Sequence, residues 1–131
     1  MRIAVGFNGS ELSKVALKMA EAHARAFNAE IYVFTLTPHS PELNVPEIEA
    51  AETKLKDIKA RLNKEGIPCE THLVIRSLSY GEDLVSLTRD HKIDEFVIGV
   101  KNRSRVGKFF MGSTAQFIIL NCECPVVVVK L

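Results

Sequence analysis

Apolar positions along the chain follow two rhythms that take turns. Residues 2–7 form a short apolar run ahead of Asn8-Gly9-Ser10, a turn cluster able to cap a helix, and read as a buried first strand. From Leu12 the spacing lengthens, with Val15, Ala16, Met19, Ala20, His23 and Phe27 on one helical face and Asn28 as a left-handed stop. A second strand is predicted at 30–36. The stretch 38–46 holds three prolines and reads as a linker. Ile48, Ala51, Leu55, Ile58 and Leu62 then step by three and four towards Gly66. An edge strand at 69–76, a helix at 80–91, a compact apolar strand at 95–99, a short helix at 113–121 and an unbroken valine strand at 125–130 complete the pattern.

Five strands alternating with four helices imply an α/β fold with a doubly wound, five-stranded parallel sheet and helices on both faces, because each parallel crossover needs a helix. Ligands of such sheets sit beyond the carboxyl ends of the strands, where the strand order reverses, so the loops after the first and fourth strands are the places to search. A length of 131 residues with 47% apolar content fits one domain spanning the chain. Formal charge is +1, which gives no global attraction to nucleic acid or to a membrane surface. No apolar run reaches the ~18 residues of a membrane span. Three cysteines, an odd number, and the lack of a secretory signal lead us to expect a cytoplasmic protein without structural disulfides.

The loop after the fourth strand carries the chemistry. Between Gly99 and Thr114 stand Lys101, Arg103, Arg105 and Lys108 and no acid. Gly99 lets a ligand approach the strand exit, and Gly112-Ser113-Thr114 sets N–H groups and hydroxyls at a helix N-terminus, where anions are favoured. An alternative is that the glycines only make turns, the cations only solvate the loop and Ser113 only caps the helix. The thirteen-residue interval from Gly99 to Gly112-Ser113 resembles the G-x2-G-x9-G-[ST] loop of the universal stress protein family, with Asn102 where the second glycine of that loop falls. Phe7-Asn8-Gly9-Ser10 and the closing Cys124-Pro125-Val126-Val127-Val128-Val129 extend the resemblance over the whole chain.

The resemblance implies an adenine-nucleotide-binding regulatory or stress-response module. ATP or AMP, with or without Mg, would be held by Gly6, Phe7, Asn8, Leu36, Gly99, Asn102, Arg103, Gly112, Ser113 and Thr114. In this family Asp commonly stands where this chain has Asn8, and glycine where it has Ser77. The resemblance also implies a homodimer through the terminal strand Val126 to Val129. A member that has lost the nucleotide and serves only as a dimeric interaction scaffold is the alternative.

No enzyme is expected beyond slow ATP hydrolysis. Gly107-Lys108 is followed by Phe109, so the loop is no Walker A motif, and it offers no acid for magnesium. His23, His39, His72 and His91 are irregularly spaced, and His23 on the apolar stripe reads as a packing residue. Cys122-x-Cys124 lacks the second pair of a zinc set, and Cys124 reads as a small buried hydrophobe. No nucleic-acid partner is expected, since Phe109 and Phe110 are the only aromatics in the loop.

Overall fold

The structure, a computed structural model, describes residues 1–37, 44–101 and 111–131. Strands β1 (Arg2–Gly6), β2 (Glu30–Thr37), β3 (Cys69–Ile75), β4 (Glu95–Val100) and β5 (Val126–Lys130) alternate with helices α1 (Glu11–Phe27), α2 (Val45–Lys64), α3 (Tyr80–Asp90) and α4 (Ser113–Asn121). All strand pairs are parallel, in the order β3-β2-β1-β4-β5. The chain therefore winds outward from β1 through β2 to β3, then returns to the other side of β1 for β4 and β5. The order reverses between β1 and β4, and β3 and β5 are the edges.

Each strand residue faces the side opposite its neighbour, and this alternation divides the core in two. Ile3, Val5, Ile31, Val33 and Val97 pack under α1 and α2. Ala4, Tyr32, Phe34, Phe96 and Ile98 pack under α3 and α4. Helix α1 approaches the sheet through the small side chains Ala16, Ala20 and Ala24, all buried. It starts at Ser10, whose hydroxyl accepts the Ser13 N–H at 3.1 Å, and ends at Asn28 with φ 53°, the left-handed stop expected from the sequence.

Pro46 belongs to α2, not to a linker. Asn44 Oδ1 accepts the Glu47 N–H at 3.2 Å and Pro46 occupies the first turn, where its missing N–H costs nothing. Gly81 brings α3 close to α4, because a Cβ there would stand 2.9 Å from Phe117 Cδ1. His23 is a packing residue with its polarity satisfied: its ring meets Phe27 edge-on at 5.6 Å, and Nδ1 lies 2.8 Å from the buried carboxylate of Glu95. Among the described residues, no helix is long and apolar enough to cross a membrane.

Candidate functional site

A cavity of 320 Å³ opens at the carboxyl ends of β1 and β4, where the strand order reverses. Its floor is apolar, formed by Phe34, Leu36, Leu84, Phe96, Ile98 and Ile118. Its mouth is polar, with Asn8, Ser10, Lys101, Gly112 and Thr114. A flat apolar ring can be taken from water by the floor while charged or hydroxylated groups stay at the rim.

Of the residues singled out in the sequence, Gly6, Phe7, Asn8, Leu36, Gly99, Gly112 and Thr114 line this one cavity. Ser113 is exposed and is not among its lining residues. Asn102 and Arg103 lie outside the described residues.

The turn after β1 fixes its own polar groups. Phe7 N–H donates to the Phe34 carbonyl at 2.8 Å, and the Thr35 hydroxyl donates to the Phe7 carbonyl at 2.8 Å. Asn8 Oδ1 accepts the Ser10 N–H at 3.0 Å, an Asx turn that lets Gly9 take φ 82°. With that oxygen engaged, the polarity Asn8 offers a ligand is its amide NH₂.

Gly99 has a different role from the one its sequence position suggests. A Cβ at Gly99 would stand 2.8 Å from Cδ1 of Leu12. The missing side chain makes room for the first turn of α1, and the approach it permits is that of Leu12 to the strand. Gly112 is the open position: among the described residues, nothing lies within 4 Å of a Cβ built there. It is the N-cap of α4, and among the described residues no side chain caps that helix end. Ser113 is therefore the first helical residue and not the cap. The first-turn N–H groups of α4, with no acid among them, sit at the rim beside Lys101 and form an electropositive end.

Helix α3 supplies the part of the site the sequence did not reveal. Tyr80 and Leu84, one turn apart, both line the cavity. The Tyr80 hydroxyl donates to the Leu36 carbonyl at 3.1 Å, so that backbone oxygen already has a partner in this structure. Burial pushes the Tyr80 phenol up, which keeps it a neutral donor. The signal was present in topology, since the loop after β3 opens on the same sheet edge as those after β1 and β4. Ser77 and Leu78, in that loop, are held by the buried Asp83 carboxylate: Ser77 N and Oγ lie at 3.0 Å and Leu78 N at 3.2 Å. The described residues lining the cavity include no carboxylate, and no group of His, Cys, Asp and Glu among the described residues gathers to hold a metal.

The universal stress protein family model matches residues 1–130. A universal stress protein of Methanocaldococcus jannaschii is 28% identical over 140 residues, covering 98% of this chain and 81% of the relative. A universal stress protein of Mycolicibacterium smegmatis is 26% identical, covering 98% and 96%. Among solved structures, a universal stress protein of Archaeoglobus fulgidus in complex with dAMP superposes with a TM-score of 0.77 at 27% identity, covering 99% of this chain and 98% of that one.

Proposed function

Because the chain belongs to the universal stress protein family, we propose that it binds an adenine nucleotide at the cavity between β1 and β4 and acts as a regulatory module rather than as an enzyme. The observation that carries this reading is the pairing of an apolar floor with an uncapped helix N-terminus at the switch point of the sheet. The base lies against Phe34, Leu36 and Leu84, the sugar faces Asn8, and the phosphates face Gly112, Thr114 and Lys101. That the Archaeoglobus fulgidus relative was solved in complex with dAMP supports an adenine nucleotide as the ligand. ATP and AMP both suit a rim that is open on the phosphate side. Any magnesium would ride on the phosphates, since no carboxylate lines the cavity among the described residues. With no carboxylate or histidine among the described residues lining the cavity, phosphate release is slow.

Calorimetry with AMP and ATP tests the assignment. Gly112→Val fills the open position at the α4 N-cap and is expected to weaken binding at least ~tenfold, about 1.4 kcal/mol, while changing stability by less than ~1 kcal/mol. Wild-type protein that takes up neither nucleotide at millimolar concentration would overturn the reading, and unchanged affinity in the variant would move the phosphates away from α4. Steady-state turnover of several ATP per second would overturn the non-enzymatic part.

The module is a homodimer in this proposal, formed by Val126 to Val129. β5 is an edge strand and Val128 in it is 38% exposed, an apolar edge that pairing with a second copy would cover. Light scattering is expected to give twice the chain mass for the wild type and the chain mass for Val128→Glu. A monomeric wild type well above micromolar concentration would defeat the dimer. All three cysteines are free thiols, which suits the reducing cytoplasm proposed for it.

A further inference from the structure

Two thiols meet where α4 gives way to β5. Cys122 Sγ and Cys124 Sγ are 3.2 Å apart, and both side chains are half-buried. A disulfide needs about 2.05 Å, so an approach of ~1 Å along a segment outside helix and strand closes it. The hydrogen bonds order the pair. The Thr88 hydroxyl donates its one proton to the Val85 carbonyl at 2.7 Å. Thr88 Oγ1, 3.6 Å from Cys122 Sγ, is then left to accept from Cys122, which leaves Cys122 to accept from Cys124. Beside them lies a second cavity, of 200 Å³, lined by Thr88, Arg89, Lys92, Glu123 and Cys124 and separate from the nucleotide cavity. It admits a small polar molecule to Cys124.

We propose that Cys122 and Cys124 form a dithiol–disulfide couple oxidised by a small hydroperoxide. Cys124 lines the cavity, so the oxidant reaches the pair from its side. The thiolate of one of the two attacks the terminal peroxide oxygen. An S–O bond forms, the O–O bond breaks, and the departing alkoxide takes up the proton that thiol shed, giving an alcohol and a sulfenic acid. The other thiol then attacks that sulfur. The S–S bond forms, the S–O bond breaks, and the leaving hydroxide carries off its proton as water. The two thiols lose two electrons and the peroxide gains them. With one residue between the cysteines the ring is small, and strained disulfides are readily reduced, so the oxidised form is transient in a thiol-rich compartment.

Hydrogen peroxide is the probe, followed by alkylation of the remaining thiols and peptide mapping by mass spectrometry. The wild-type protein is expected to lose the mass of two hydrogens and to leave only Cys69 open to alkylation. Cys69 is buried, with its thiol pushed up to about 11 by that burial, and serves as the internal control. Dithiothreitol should restore all three thiols. In Cys122→Ser the loss of two hydrogens should disappear. Three alkylatable thiols after a treatment that oxidises free glutathione, a sulfinic acid on either Cys122 or Cys124 beside an intact thiol on the other, or a disulfide between chains would each overturn the proposal. Wild-type mapping decides it even if the variant does not fold.

Discussion

Gly99→Ala is expected to destabilise the protein by ~1–3 kcal/mol, the range for forcing an extra carbon into a packed interior. The new methyl carbon would stand 2.8 Å from Leu12 Cδ1 and 3.2 Å from Cδ2, and the first of these is closer than Cβ contacts allow. Backbone strain is not the cause, since Asn28, Lys92, Gly9 and Gly66 are the described residues with positive φ. Leu12 must leave its rotamer or shift with the start of α1, which also carries the Ser10 cap and the turn at Asn8. Urea unfolding measures the loss. Because the cause is one contact, Leu12→Ala in the Gly99→Ala background should recover most of it, giving a coupling of ~0.5–3 kcal/mol in a double-mutant cycle. Strictly additive effects of the two substitutions would show that Leu12 is not what Gly99 accommodates.

Asp83→Ala should cost ~2–3 kcal/mol, again read by urea unfolding, because one buried carboxylate holds three donors of the loop after β3. Removing it leaves Ser77 N, Ser77 Oγ and Leu78 N to find other partners and withdraws negative charge from the first turn of α3. Asp83→Asn keeps the shape and one acceptor oxygen and should lose about half as much. Nucleotide affinity should fall as well, since the same loop delivers Tyr80 to the Leu36 carbonyl and Leu84 to the cavity floor. An alanine variant within ~0.5 kcal/mol of the wild type would mean the loop is held by something other than Asp83.

These two residues mark where the sequence could be read and where it could not. Periodicity located α4 at the residues the structure gives it, and the left-handed Asn28 ended α1 as read, because both signals are local. Moderate alternation within residues 69–76 marked β3 as an edge strand, and the alternation of strands and helices pointed to the loops after β1 and β4, where the cavity opens. Pro46 misled because prolines near a turn look like linker until an N-cap such as Asn44 is recognised beside them. The role of Gly99 depends on Leu12, 87 positions away, and no spacing rule carries that information. Ser77, which replaces the glycine common in the family, has a partner in Asp83 that only the folded loop brings within reach. Tyr80 and Leu84 were legible as a helix face but not as a cavity wall, since which face of α3 meets the sheet is decided by packing. Arg103 and Asn102 lie outside the described residues.

The division of the core by the sheet sets how the protein can change. The floor of the cavity between β1 and β4, Phe34, Leu36, Leu84, Phe96, Ile98 and Ile118, belongs to the compartment under α3 and α4. Ile3, Val33, Ala20, Leu55 and Leu62 belong to the compartment on the other side. Substitutions in separate, non-touching sites combine almost additively. A lineage moving to a hotter or colder setting can therefore retune its melting behaviour beneath α1 and α2 while leaving ligand preference alone, and a lineage acquiring a new ligand can reshape the opposite compartment while the first keeps the chain folded.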